Sequence, residues 1–412
     1  MTENQRQHAL DLNHSYSPLN IEVVTETYPP EINGVAHTIS MLVSELRKIN
    51  HLVNVIRPKQ SSDLAPTQFQ EQKSNQDVLV KSFPIPLYSE LRMGVPSKKM
   101  LLDRWSQSKP DIVHIATEGP LGWSAARAAR SLNIPVTSDF RTNFHAYSSL
   151  YRLGFLEPII MAYMRHFHNA TDCTMVPTEK LQQELKLAGI DSLRVMPRGV
   201  DTAHFSDKLR SPQLRSSWNA DPLDVVLLSV GRLAVEKNLD LLIKSYIHAK
   251  NIDPRTKLVV VGDGPLRESL KKKCPDAIFV GKKSGLELAE YYASADIFVF
   301  PSLTETFGNV TIEAMASGLA VVAYRHAAAG DLIISGHNGI TVDPGDEHAF
   351  IQAVSTTLMN QSLIRRLGYA AITTAKQQSW EEIVRRTECI WREIILQKKE
   401  IQHCHDNFII PT

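Results

Sequence analysis

No charge of one sign predominates in this chain: 45 Lys and Arg stand against 44 Asp and Glu in 412 residues. Proteins that hold nucleic acid by neutralising phosphates carry a larger basic excess, so that class starts behind. Cysteine is scarce. Only Cys173, Cys274, Cys389 and Cys404 occur, and no two are spaced as C-x-x-C. That argues against a disulfide scaffold and against the usual zinc spacings, and it fits a reducing compartment. His403-Cys404-His405 is a lone exception, near the end of the chain. No apolar run approaches the roughly 20 residues of a membrane span. Met1 to Asn20 is polar and lacks the apolar core of a signal peptide. The expected location is therefore cytoplasmic, with any membrane contact peripheral and at the inner face of the cell membrane.

Common catalytic signatures are missing too. There is no H-E-x-x-H, no G-x-S-x-G, and no D-x-D pair to hold a metal against a diphosphate. Gly262-Asp-Gly264-Pro-Leu-Arg267 begins like a dinucleotide fingerprint but has Arg267 at the third glycine position. Gly281-Lys282-Lys283 lacks the rest of a P-loop.

What is present is a soluble globular composition, 43% hydrophobic and 22% charged, with length for two or three domains. Short apolar runs alternate with helical stretches. Strands are expected over 21–25, 51–56, 78–83, 111–115, 134–138, 172–176 and 193–196. Between Gly199 and Pro222 the chain is polar and without sustained periodicity, which marks a linker. Beyond it come near-continuous apolar runs over 225–230, 258–261, 277–280, 297–300 and 320–323, the pattern of strands buried on both faces. After His348 the pattern is helical. The fold class is α/β, with two doubly wound, Rossmann-like domains, 17–205 and 206–379, followed by a helix over 380–402. Parallel sheets bind ligands beyond the carboxyl ends of their strands, so the natural site is a central cleft between domains.

The most informative segment runs from Phe300 to Gly318, with Glu305 and Glu313 eight residues apart and Gly308 between them. A strand ending near Phe300 and a helix starting near Gly308 would leave the amides of Gly308, Asn309 and Val310 free to hold an anion. Two carboxylates flanking such a site suit sugar and ribose hydroxyls. By chemistry alone they equally suit a solvated loop and a helix-stabilising glutamate.

This segment resembles the E-x7-E pattern of the retaining nucleotide-sugar glycosyltransferases of family 4, which have the GT-B fold. Further segments resembling that family lie in order along the chain: Tyr28 to Val35, Ser229 to Asn238, Val261 to Pro265, and Gly336 to Gly339. The resemblance covers about Ile21 to Trp391.

It implies transfer of a hexosyl unit from a UDP- or GDP-hexose to a hydroxyl acceptor with retention, without a metal or other cofactor. In that reading Arg232 and Lys237 hold and neutralise the donor diphosphate, Glu305 binds the transferred sugar and Glu313 the ribose. Gly34, Gly231, Gly264, Gly308, Asn309 and Val310 would line the donor. Where the family often has a histidine, this chain has Arg141, with His145 four residues later, and either could serve the first-domain role. The helix over 380–402 is implied to cross back to the first domain and to form a hinge. The stretch from Glu26 to Val35 resembles the lipid-directed mannosyl-, glucosyl- and sulfoquinovosyl-transferases, which implies a membrane lipid or glycolipid acceptor. Apolar and basic residues mixed over 84–105 and 151–168 would allow contact with an anionic membrane, though packing inside the domain is the favoured reading of them. The competing readings are a GT-B protein that binds nucleotide sugar without turnover, and a sugar-nucleotide epimerase or a phosphorylase.

Overall fold

The computed structural model describes residues 17–31, 33–60, 63, 77–85, 88–141 and 157–408. Its first part runs β1 (Asn20–Val24), α1 (Gly34–Lys48), β2 (Leu52–Pro58), β3 (Asp77–Val80), β4 (Ser82–Ile85), β5 (Tyr88–Gly94), α2 (Lys98–Gln107), β6 (Ile112–Ile115), α3 (Pro120–Ser131), β7 (Val136–Asp139), α4 (Glu157–His168), β8 (Cys173–Val176), α5 (Glu179–Leu187) and β9 (Leu193–Val195). Seven of these strands form one sheet, ordered β3-β2-β1-β6-β7-β8-β9. β1 pairs in parallel with both β2 and β6, Ile21 standing between Val53 and Ile112.

The second part continues with α6 (Pro212–Ser217), β10 (Val226–Val230), α7 (Leu239–Ile252), β11 (Lys257–Val261), α8 (Arg267–Lys273), β12 (Ile278–Gly281), α9 (Gly285–Ser294), β13 (Ile297–Phe300), α10 (Asn309–Ala316), β14 (Ala320–Tyr324), α11 (Ala327–Leu332), β15 (Ile340–Val342), α12 (Glu347–Leu358), α13 (Gln361–Lys376) and α14 (Trp380–Phe408). Its sheet is ordered β12-β11-β10-β13-β14-β15. Successive side chains of a strand point to opposite faces, and the core shows it. Val226, Leu228 and Val230 enter one apolar cluster while Val225 and Leu227 enter another. The same split divides Phe298 and Phe300 from Ile297 and Val299. A strand buried on both faces has to be apolar at every position, which is why these runs do not alternate.

Three local readings of the sequence change. The apolar run 78–83 is not one strand: β3 joins the parallel sheet, while β4 turns away to pair antiparallel with β5. The polar stretch 199–222 is not wholly irregular, because Ser211 caps α6 by accepting the Leu214 N–H at 3.2 Å. Arg215 of that helix is buried, its guanidinium bonded to the Ser294 and Asp224 carbonyls and to Asp296. The three-residue β15 was not read at all; it is too short for a period to register.

Contacts divide the chain into two compact units, with borders after Asp139, Asn169, Cys173 and Cys389, so that Ala170–Cys173 and the part of α14 from Ile390 onward belong with the strands before Phe140. In the unit containing Ile390 onward, Trp391 is fully buried and donates its indole N–H to Thr137 Oγ1 at 3.1 Å. Thr137 Oγ1 also lies 2.9 Å from His114 Nδ1, and His114 Nε2 lies 3.2 Å from Asp139 Oδ2. Each buried polar group in this row has a partner, as burial demands. Lys398, further along α14, pairs with Asp172 at 2.7 Å.

Candidate active site

In the second sheet the strand order reverses between β10 and β13, which are neighbours although 70 residues separate the starts of their pairing register, Leu227 and Ile297. Such a switch point splays the two following loops apart and leaves a crevice at the strands' carboxyl ends. The loop after β10 carries Gly231, Arg232 and Lys237; the loop after β13 carries Glu305 and leads to Gly308. The motifs read from the sequence therefore fall on the two loops that topology places side by side.

Lys237 ends a short 3-10 turn, Val235–Lys237, and its Nζ is ion-paired with Glu305 Oε1. The same carboxylate oxygen accepts a hydrogen bond from Ser302 Oγ at 2.8 Å. Thr304 Oγ1 donates to the Glu236 carbonyl at 3.3 Å, giving the two loops a second tie. Arg232 is exposed, and its guanidinium has no partner among the described residues. A small cavity is lined by Gly231, Arg232, Lys237, Phe300 and Pro301. The cavity thus has one cation held by a carboxylate and one whose head group is unpaired among the described residues.

Gly308 precedes α10 with φ +86°, left-handed backbone that glycine adopts without a Cβ penalty. It brings no side chain to cap the helix, so the first amides of α10, at Asn309 and Val310, stay open to an anion. Asn309 Oδ1 is buried without a partner among the described residues. One turn on, Glu313 accepts a hydrogen bond from the Tyr292 hydroxyl at 2.9 Å. Burial pushes the Glu313 carboxyl up to about 7, and the Tyr292 bond opposes that rise.

Not every expected glycine faces open space. A Cβ on Gly264 would stand 2.4 Å from the Leu233 carbonyl oxygen, and one on Gly262 only 1.9 Å from that of Gly231. These two glycines let the loop after β11 press against the loop after β10, where Leu233 N–H also donates to Asp263 O at 2.9 Å. In the first part, Gly34 opens α1, and a Cβ there would meet nothing within 4 Å. Arg141 follows β7 and is partly buried; His145 lies outside the described residues.

The sequence reading missed several residues. Glu26 accepts hydrogen bonds from the Gly94 and Leu121 amides at 2.7 and 2.9 Å, filling the N-terminus of α3 with the protein's own carboxylate. Burial raises its pKa. His326, just before α11, accepts the Glu305 N–H on Nε2 at 3.3 Å. Ser302 could have been suspected from its place three residues before Glu305; Tyr292 and His326 arrive from other elements and carry no local signal.

Two doubly wound parallel sheets of this kind are the architecture of the GT-B fold. Residues 32–204 match the family described as Glycosyltransferase Family 4, and residues 224–360 match Glycosyl transferases group 1. A GDP-mannose-dependent alpha-mannosyltransferase of Corynebacterium glutamicum is 32% identical over 89% of this chain and 87% of its own length. An alpha-monoglucosyldiacylglycerol synthase of Streptococcus pneumoniae is 29% identical over 76% of this chain and 73% of its own. Sucrose-phosphate synthase from Thermosynechococcus elongatus superposes with a TM-score of 0.74 at 18% identity, over 92% of this chain and all of that one. The chain belongs to glycosyltransferase family 4, and it is a hexosyltransferase that uses a nucleotide sugar.

Proposed function

We propose that this enzyme transfers mannose from GDP-mannose to a hydroxyl of a membrane lipid or glycolipid, with retention of anomeric configuration. The observation that carries the reading is the Lys237–Glu305 pair beside the unpartnered Arg232, at the mouth of the open α10 N-terminus. The choice of GDP-mannose rests on the relatives named as dependent on it. The lipid acceptor rests on relatives such as the glucosyldiacylglycerol synthases.

The chemistry follows from charge. As the glycosidic bond breaks, the departing nucleoside diphosphate gains negative charge, and fixed donors aimed at it lower the barrier by about 2.7–4 kcal/mol each. Arg232, Lys237 and the amides of Asn309 and Val310 would supply that stabilisation, so no metal ion is needed; activity should survive a strong chelator. Glu305 would hold the sugar hydroxyls and Glu313 the ribose. The attack is on the face from which the diphosphate leaves, which helps remove the acceptor proton, and no protein nucleophile takes part. Gly34 and Arg141, with His145, would complete the donor side from domain 17–205; domain 206–379 would hold the nucleotide, and the helix over 380–402 would return to the first domain.

Among the described residues no helix is long and apolar enough to cross a membrane. Peripheral contact at the inner membrane face is supported by α4, where Ile159 and Tyr163 are exposed four residues apart, with Arg165 and His166 beside them. Co-sedimentation with anionic and neutral vesicles tests that contact.

The direct test is thermal stabilisation by a panel of nucleotide sugars, followed by transfer from the selected donor to lipid acceptors. A ligand at 100 times its Kd stabilises the folded state by about 2.7 kcal/mol. A shift specific to GDP and GDP-mannose supports the reading. No shift with any nucleotide sugar at millimolar concentration defeats it.

A further inference from the structure

His326 belongs to no motif that the family resemblance supplied, yet it touches the loop that carries Glu305. It stands between β14 and α11, half-buried, and its Nε2 accepts the Glu305 N–H at 3.3 Å. A ring nitrogen that accepts is bare, so the imidazole proton sits on Nδ1 and the ring is neutral. Two residues on, the Ala328 N–H donates to the Phe307 carbonyl at 2.8 Å. The 326–328 segment thus grips the loop after β13 at both ends of its Glu305–Phe307 stretch.

The backbone is strained where it does so. Ala327, between the two contacts, has φ +51°, a left-handed conformation that is unfavourable for a residue with a Cβ. Such strain persists only where surrounding contacts over-determine it, and it concentrates at functional sites. The strained residue directly follows the histidine that holds the site's glutamate.

We propose that His326 is a positioning residue of the donor site: by accepting the Glu305 amide proton, its neutral imidazole holds the 302–308 loop with the Glu305 carboxylate turned to Lys237 and Ser302. The proposal rests on the donor-site reading above. Protonating the ring places a second N–H against the Glu305 N–H, so the bond is lost and the loop released. Burial and Lys180 of α5 favour the neutral ring, while Glu305 and Glu184 of α5 favour the charged one. Asp331, on the helix that His326 precedes, is occupied by the Glu179 amide at 3.0 Å. Acid should therefore weaken donor binding through His326.

The test compares the full-length wild type with His326→Gln and His326→Ala, titrating GDP-mannose by calorimetry between pH 5 and 8. Glutamine offers an acceptor oxygen that does not titrate. His326→Gln should keep the wild-type affinity near pH 8 and lose less of it on acidification. His326→Ala should bind about fivefold more weakly near pH 8, the worth of one neutral hydrogen bond. Glu313 titrates alike in all three proteins, so the difference between profiles isolates the imidazole. Parallel wild-type and His326→Gln profiles would overturn the role of His326 while leaving the donor reading intact. No GDP-mannose binding by wild type at any pH would overturn both.

Discussion

Lys237 and Glu305 are 68 residues apart in the chain, yet their side chains form an ion pair across two loops. Both are mostly buried, so removing either partner leaves a charge with little access to water and without its counter-ion. Lys237→Ala should lower kcat/KM by about 10²–10³, the range seen for loss of a transition-state donor. Its Tm should fall as well. The double variant Lys237→Ala/Glu305→Ala should lose less stability than the two single losses added, because one interaction is counted twice. Melting curves of the four proteins measure that coupling; simple additivity would show that the pair is not formed in solution.

Arg232 sits beside that pair, but its guanidinium bonds to nothing among the described residues. Arg232→Ala should leave the melting temperature within the range of an ordinary surface change, about 0.5 kcal/mol. GDP affinity should drop about 10–100-fold, as loss of a charged hydrogen bond predicts. Calorimetry on the folded variant decides it, and an unchanged Kd would remove Arg232 from the donor site.

Glu313 links stability and donor binding to pH. Its folded pKa, about 7, stands above the ordinary 4.5 because the carboxyl is buried. Between those values the unfolded chain has given up the proton and the native protein has not, so native stability falls as pH rises through 7. Glu313→Gln removes that dependence and should stabilise the free protein at pH 8 by about 2 kcal/mol relative to wild type, and much less at pH 5. Donor affinity should decline in the same variant, since the anion is the better ribose acceptor. A variant whose stability gain is the same at both pH values would contradict the buried-carboxyl account.

Gly264 tests packing rather than ligand contact. Gly264→Ala puts a methyl 2.4 Å from a backbone oxygen that no rotamer change can move. A destabilisation of about 1–3 kcal/mol is expected, with donor affinity lost only as far as the loop after β10 shifts. Gly34→Ala, facing open space, should leave stability almost unchanged. Chemical denaturation of the two variants separates these outcomes.

Much of this arrangement was legible because buried parallel strands need unbroken apolar runs. Val225 to Val230 and Ile297 to Phe300 announced β10 and β13 for that reason, and the glycine before α10 announced the helix start. β4, β5 and β15 were not legible: a short hairpin and a three-residue edge strand owe their pairing to neighbours, not to their own pattern. Glu26 reads as one more acidic loop residue until α3 and Gly94 close around it.

The sequence by itself determined the alternation of strand and helix, the family, and the residues on the loops after β10 and β13. Those features depend on local period, on glycine positions and on short motifs, all of which lie contiguous in the chain. Only the tertiary structure decided which side chains meet. Strand order brought Lys237 to Glu305, a turn after β14 brought His326 to the Glu305 amide, and α9 brought Tyr292 to Glu313. Burial did the rest, since the pKa of Glu313 depends on what surrounds the carboxyl in space, and no spacing along the chain records that.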